Sequence, residues 1–300
     1  MYQFSTLKIE QLPEFFDHLD SVFKAPRSFF VDHWELDPHK DINGVFVALY
    51  QGKIVSSVRV YTRMMSIYGE FVPVATNPEH TRKGLAKSLL DLALEYMQKF
   101  TISTLHTTAH GNAFKLYQSK GYQSWPLKIS STKLQINNEL DVKEINLEFG
   151  DVTELQEMHS QYLKSTIGSF KRELGFWRGL GKEIARKEAK LLHVDGHDKG
   201  YAYLQQDGER VQILDFYATG NQLAILESIL FKFSKRKEVE ITYPWYLLSD
   251  YVSGDHQIDE GYMVQLIQPL IIHGKTCSST IEFLECVKDD RFVFLKTDRY

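Results

Sequence analysis

The stretch from Val74 to Leu90, VATNPEHTRKGLAKSLL, constrains the fold of this chain more than any other. It reads as the end of a strand, a tight loop and the opening of a helix. Leu85, Leu89, Leu92, Ala93, Tyr96 and Met97 recur at helical spacing and fall on one face. Arg82, Lys83, Gly84, Leu85 and Ala86 sit where helix N–H groups have no intrahelical acceptor. With the positive end of the helix dipole, those donors offer an anion site. Gly84 has no Cβ to hold a ligand off the backbone, and Arg82, Lys83 and Lys87 add charge. A short loop with one glycine is a weak motif taken alone. On local chemistry the stretch is either a phosphate cradle or an ordinary turn with a solvated basic end.

Composition narrows the class. Three hundred residues with a hydrophobic share of 43% suffice for one large or two ordinary domains. A net charge of −4 and a pI near 6.3 argue against a nucleic-acid partner. Two cysteines, Cys277 and Cys286, are too few for a disulfide framework or a zinc site and suggest a reducing compartment. No signal peptide and no membrane span is visible, so the expectation is a soluble, cytoplasmic protein without a membrane partner.

Taken in order, Ile9 to Phe23 reads as a helix with Pro13 in its first turn. Ala25 to Asp41, with Phe29, Phe30 and Trp34, is a helix–loop region able to cover a cleft. Gly44 to Tyr50 and Ile54 to Thr62 read as strands joined at Gln51-Gly52-Lys53, and Met64 to Tyr68 continues the sheet. Phe71 to Thr76 leads into the basic loop. Pro73 lacks the donor that a central strand needs, so a bulge there or a shortened strand is expected. Ile102 to Thr107 is a strand, and Asn112 to Ser119 a short helix stopped by Gly121. Tyr122 to Trp125 and Leu127 to Gln135 read as a last hairpin. Ile136 to Asp141, INNELD, is a polar connector.

Beyond it the plan loosely repeats. Glu144 to Phe149 is strand-like, Val152 to Leu163 helical with Asp151 as cap, and Phe170 to Leu191 basic and helical. Tyr201 to Gln205 and Val211 to Tyr217 form a hairpin around Asp207-Gly208. Leu223 to Phe233 is an apolar helix, Val239 to Tyr243 a strand, and Tyr262 to Leu270 a final strand-like run. The expected organisation is a first domain over 1–135, a second over 142–270 and an extension over 271–300.

The basic loop resembles motif A of the GNAT acyltransferase superfamily, Gln/Arg-x-x-Gly-x-Gly/Ala, which grips the pyrophosphate of acetyl-CoA. Gly84, Leu85 and Ala86 match its last three positions, and Thr81 departs from its first. Asn112 to Tyr122, NAFKLYQSKGY, resembles the second GNAT signature, in which an Asn opens a helix and a Leu-Tyr pair precedes a Gly-aromatic. Two signatures in order are far more specific than one. Lys199 to Tyr203, Leu214 to Phe216 and Tyr262 to Val264 resemble the second domain of the enhanced-intracellular-survival type. That type fuses two GNAT folds, the second without acetyl-CoA binding, and usually adds a sterol-carrier-like third domain, which is not expected here because only about thirty residues follow Leu270. The resemblance implies an α/β (α+β) chain of two fused GNAT-like domains, each a mixed, mostly antiparallel sheet flanked by helices. The segment at Gly220 to Leu230, which corresponds to the basic loop, lacks the Gly-x-Ala pattern.

Acetyl transfer to an amine needs a held thioester, a neutral amine, a polarised carbonyl and a proton for the thiolate. The resemblance assigns acetyl-CoA as co-substrate. It places Arg82 to Lys87, Asn112 and Ala113 beside it, and backbone N–H groups at Val74, Ala75 and Thr76 are suited to orient the thioester. Tyr117 is the candidate general acid, because a phenol is protonated at neutral pH. The base stays open among Glu70, His33, His106 and His110; the terminal carboxylate of Tyr300 is the further candidate that the resemblance suggests. His193, His197, His256 and His273 have no metal-ligand spacing. Glu183 and Glu188 interleave the basic run Lys182 to Lys190, as on a solvated helix face. Two functions compete: an N-acetyltransferase acting on a primary amine of a small molecule or peptide, and a degenerate tandem-GNAT that binds a ligand or partner. Another acyl-CoA as donor stays open, the acceptor is not legible, and self-association into a homo-oligomer is compatible with the chain.

Overall fold

A computed structural model of the chain describes residues 1–63, 68–125, 127–164, 172–186, 189–272 and 274–287. In chain order the elements are β1 (Tyr2–Thr6), α1 (Leu12–Phe23), α2 (Arg27–Glu35), β2 (Val45–Tyr50), β3 (Lys53–Arg63), β4 (Tyr68–Thr76), α3 (Leu85–Tyr96), β5 (Ile102–His106), α4 (Asn112–Gln118) and β6 (Gln123–Ser124). There follow β7 (Leu127–Gln135), β8 (Val142–Glu144), α5 (Thr153–Leu163), α6 (Leu174–Arg186), β9 (Ala189–Val194), β10 (Gly200–Asp207), β11 (Arg210–Ala218), α7 (Gln222–Ser234), β12 (Glu238–Pro244) and α8 (Trp245–Leu248). The last are β13 (Asp255–Asp259), β14 (Tyr262–Leu266), β15 (Leu270–Ile272), β16 (Lys275–Cys277) and α9 (Thr280–Val287). The expected strand at Met64 to Tyr68 lies mostly outside the described residues, as do His273 and Tyr300.

The elements divide into two units, one of 1–125 with 260–287 and one of 127–259. The first unit holds a sheet in the order β1-β2-β3-β4-β5-β14-β6, antiparallel except for β4 with β5. Its strands are covered on both faces, which is why Val45 to Ala48 is an unbroken buried run rather than an alternation. Val45, Val47, Ile54 and Ala75 pack under α1 and α2, against Phe15, Phe16, Leu19, Phe30 and Trp34. Phe46, Ala48, Val58 and Val60 pack on the other side, against Leu85, Leu89, Leu90 and Ala93 of α3. Truncating one such leucine to alanine costs about 2–5 kcal/mol, so this face fixes where α3 begins relative to β4.

The second unit holds β8-β9-β10-β11-β12-β7-β13. Trp177, Leu180, Leu155, Tyr201 and Tyr203 build one of its cores. The element order repeats that of the first unit, strand for strand and helix for helix. The connector after β7 is tied down within this unit: Glu227 Oε2 accepts from Asn137 N (2.8 Å) and Asn138 N (2.9 Å), and Ser228 Oγ from Leu140 N (2.8 Å).

Each sheet takes one inner strand from the other half of the sequence. β14 lies between β5 and β6, and β7 lies between β12 and β13. The boundaries expected at 135 and 142–270 are therefore corrected. β7 belongs with the second unit, while β14, β15, β16 and α9 belong with the first. The expected hairpin of β6 with β7 is replaced by pairing of each to a distant strand. Sequence neighbours pair about two-thirds of the time, and nothing local in a short apolar run marks the exception.

Candidate active site

α3 begins where the side-chain burial begins. Leu85 is buried, whereas Thr81, Arg82, Lys83 and Gly84 are exposed, Ala86 is half-buried and Lys87 exposed. Gly84 caps the helix at φ 76°, a left-handed conformation that glycine adopts without strain. A Cβ there would meet nothing within 4 Å, so this face of the turn is open. The first intrahelical bond runs from Ser88 N to Gly84 O at 3.0 Å. The N–H groups of Leu85, Ala86 and Lys87 precede it and have no acceptor within the helix. The loop is braced from beneath: Asn77 Oδ1 accepts from Glu79 N (3.0 Å), Lys83 Nζ donates to Glu79 O (3.0 Å), and Tyr2 OH bonds His80 Nδ1 (2.9 Å). These contacts hold the backbone while leaving the amides at the helix start exposed.

Beside this helix start the sheet opens. β4 and β5 pair in parallel only at Tyr68–Ile102, Gly69–Ser103 and Glu70–Thr104. Beyond Glu70 the two strands part. Opposite the parting, Val58 pairs with Val74 and Val60 with Phe71, so Val72 and Pro73 together face Arg59. This is the bulge that Pro73 foreshadowed, within a strand of nine residues. Asn77 N donates to Val55 O at 2.9 Å. Because backbone groups alternate along a strand, Ala75 also turns its amide toward β3, and those of Val74 and Thr76 face the opened side.

The other candidates divide by burial. Asn112 and Ala113 are exposed at the start of α4, capped by Gly111. Tyr117 is buried, 6% exposed, with its ring edge-on to Tyr122 at 5.9 Å. Burial pushes its phenol up to about 12. Of the base candidates, His110 Nε2 lies 2.6 Å from Glu260 Oε2, His33 Nδ1 bonds Phe29 O at 2.7 Å, and the ring of His106 stacks edge-on with Tyr262. The side chain of Glu70 lies outside the described residues.

Two groups near the opening escaped the sequence reading. Arg59 is buried, with Nη2 donating to Asp37 (2.7 Å), Nη1 to Tyr61 OH (2.8 Å), and its guanidinium 4.5 Å from the Trp34 ring. His18 of α1 is buried, and burial holds its pKa down to about 4, against a smaller opposing hydrogen bond from the Ala75 backbone. A charge inside the apolar run Ile54 to Thr62, and a histidine inside the Phe15–Leu19 stripe, were the available signals.

A family model described as the acetyltransferase (GNAT) domain matches residues 3–124. Residues 3–124 form a GNAT acetyltransferase domain. No curated protein matches the chain. Among solved structures, a probable N-acyltransferase of Enterococcus faecalis is similar at TM-score 0.70 and 16% identity, over 89% of this chain and 73% of that one. A GCN5-related N-acetyltransferase of Anabaena variabilis follows at 0.66 and 13%, over 89% and 73%. Eis1 of Mycobacterium abscessus is similar at 0.62 and 13%, over 89% and 74%. At such identities the likeness is one of fold, and it extends well beyond the GNAT domain of residues 3–124.

The second unit repeats the GNAT order with its helix start closed. Between Ala218 of β11 and Gln222 of α7 only Thr219, Gly220 and Asn221 intervene. Asn221 Oδ1 accepts from Ala224 N (3.2 Å), and an Asp198 oxygen accepts from Asn221 N (3.2 Å). A Cβ on Gly220 would lie 1.9 Å from Asp198 Oδ1. Protein side chains, one of them anionic, hold the place that an entering phosphate would need. Elsewhere in this unit Glu154, His193 and Asp195 bring ligand atoms within 4.8 Å of one another, but Lys199 (2.9 Å from Glu154) and Lys143 (2.8 Å from Asp195) already balance the two carboxylates.

Proposed function

We propose that the chain is an N-acetyltransferase that carries acetyl from acetyl-CoA to a primary amine of a small molecule or peptide, by direct attack in a ternary complex. The observation that carries this reading is the open, amide-lined start of α3 beside the parting of β4 and β5. Leu85, Ala86 and Lys87 would hold the diphosphate through their N–H groups, with Arg82, Lys83 and Lys87 supplying charge. Asn112 and Ala113 would flank the nucleotide. The amides of Val74 and Thr76 would hydrogen-bond the thioester carbonyl, so that negative charge on its oxygen is stabilised as the amine attacks. A single site per chain follows from the closed start of α7.

The departing thiolate ends with a proton that the attacking amine gives up. Tyr117, at about 12, is a weaker acid than a thiol of about 8.5. Full transfer from the phenol alone would be uphill by about 3.5 units, roughly 5 kcal/mol. The phenol therefore serves as a hydrogen-bond donor to the developing thiolate and as a relay for the amine's proton. Asp37 neutralises Arg59, so the opening carries no uncompensated cation from that residue to repel a protonated acceptor.

The burial of Tyr117 favours one second reading, a GNAT module that binds a ligand without turnover. The deciding experiment combines calorimetry with acetyl-CoA and a thiol-release assay across small amines, polyamines and peptides. Binding at one site per chain together with release supports the enzyme. Binding without release for any amine selects the second reading, and absence of acetyl-CoA binding removes the enzyme and leaves a degenerate module for another ligand or a partner.

A further inference from the structure

We propose that Cys277 and Cys286 are a redox pair whose disulfide pins α9 to β16. Cys277 closes β16 and is fully buried; Cys286 lies in the last turn of α9 and is half-exposed. Their sulfurs are 2.9 Å apart. Non-bonded heavy atoms pack at about 3.5–4.0 Å, and a disulfide measures about 2.05 Å. The backbone thus brings the two thiols nearly to bonding distance with no rearrangement of strand or helix. A bridging metal fits poorly: two bonds of about 2.3 Å across that gap would close the S–metal–S angle to about 80°, far from tetrahedral. Among the described residues, neither cysteine joins a group of three with metal-ligand spacing.

The surroundings say what the bond would hold. The start of α9 is fixed without it. Ser279 Oγ accepts from Glu282 N (3.2 Å), Glu282 Oε2 from Ser278 N (2.7 Å), and Thr280 Oγ1 from Leu266 N of β14 (3.0 Å). Toward its end the helix depends on Phe283 and Val287, which are fully buried. The bond would add a covalent tie at that end. α9 in turn rests on β14, the strand inserted between β5 and β6, so the tie braces the sheet that bears the candidate site.

The oxidant class is a low-molecular-weight disulfide, RSSR. Cys286, the accessible thiol, loses its proton and attacks one sulfur of RSSR, forming Cys286–S–S–R and expelling RS⁻, which takes up a proton. Cys277 then loses its proton and attacks the Cys286 sulfur, releasing the second R group as RSH. Two protein thiols and RSSR become one protein disulfide and two RSH. Burial, the Cys286 hydrogen bond and its charge hold the Cys277 thiol up to about 11, so at neutral pH it waits as the buried resolving thiol.

The test uses the full chain with oxidised glutathione. Free thiols are counted by alkylation after denaturation, the 277–286 link is sought by peptide mass spectrometry, and exchange of α9 amides is followed in both states. The expected result is loss of both thiols without dimer formation, an intramolecular link, and about 10²-fold slower exchange in α9, the protection that a ring of this size gives. Cys286→Ser, at a half-exposed position that leaves the fold intact, is expected to show the slow-state protection under neither condition. Thiols that stay alkylatable, a glutathione adduct on Cys286 that never resolves, or a link that leaves α9 exchange unchanged would each overturn the proposal.

Discussion

Thr104 of β5 and Val264 of β14 are direct antiparallel partners. Val264 also faces Gln123 of β6, so β14 is an inner strand with a neighbour on either side. The first sheet is therefore complete only when the chain has run through the second unit and reached Leu266.

A fragment of residues 1–140 is expected to lack a cooperative fold. It loses β14 from the sheet interior and carries β7 without its partners β12 and β13. Expressed alone, it should aggregate or unfold without a sigmoidal transition in circular dichroism; co-expressed with 141–300, it should become soluble and co-purify. A monomeric fragment with a sharp transition would mean that the strand exchange is dispensable.

Gly84→Glu places a carboxylate and a strained left-handed residue at the amide-lined helix start. The strain costs about 1–2 kcal/mol, a few degrees in Tm for a chain of this size. The charge opposes an anion at the helix start, so the Kd for acetyl-CoA should rise by more than about tenfold. Gly84→Ala carries strain without charge and should weaken binding less. Equal affinities for wild type and Gly84→Glu would exclude this loop as the diphosphate grip.

Tyr117→Phe should lower kcat by about 10²-fold with the Kd for acetyl-CoA within about twofold, since the phenol is asked to act at the sulfur and not to bind the nucleotide. Because burial raises this phenol to about 12, any alkaline fall in kcat between pH 8 and about 10 belongs to another group and should persist in the variant. A kcat equal to wild type would remove Tyr117 from the chemistry.

His18 stays neutral in the fold, its pKa lowered from 6.5 to about 4 by burial. Below pH 6.5 the unfolded chain takes up this proton and the folded chain does not. The stability contributed by the neutral form is thus present above 6.5 and lost as pH falls toward 4, by up to about 3 kcal/mol. Urea unfolding at pH 4.5 and 7.5 should show a larger acid loss in wild type than in His18→Phe. Equal losses would mean that His18 is solvated.

The order of elements from α1 to β6, the exposed loop at Arg82 to Gly84, the bulge at Pro73 and the stop at Gly121 were legible, because each rests on local chemistry: apolar spacing, a left-handed glycine, a missing donor; the first strand, Tyr2–Thr6, was not. His18 and Arg59 were not. Whether a polar residue within an apolar stripe is exposed or enclosed depends on what packs over it, here α1 and α2 on the sheet.

Local pattern by itself determined that a strand runs into an amphipathic helix at Gly84, and that a second signature follows at Asn112. Only the tertiary structure decided which strands complete each sheet, that β4 and β5 part beyond Glu70, that Asp198 shuts the start of α7, and that two cysteines on a strand and a helix meet. The reason is range. Helix starts and turns are set by residues a few positions apart, whereas sheet partners and buried pairs are set by contacts between segments that no local spacing connects.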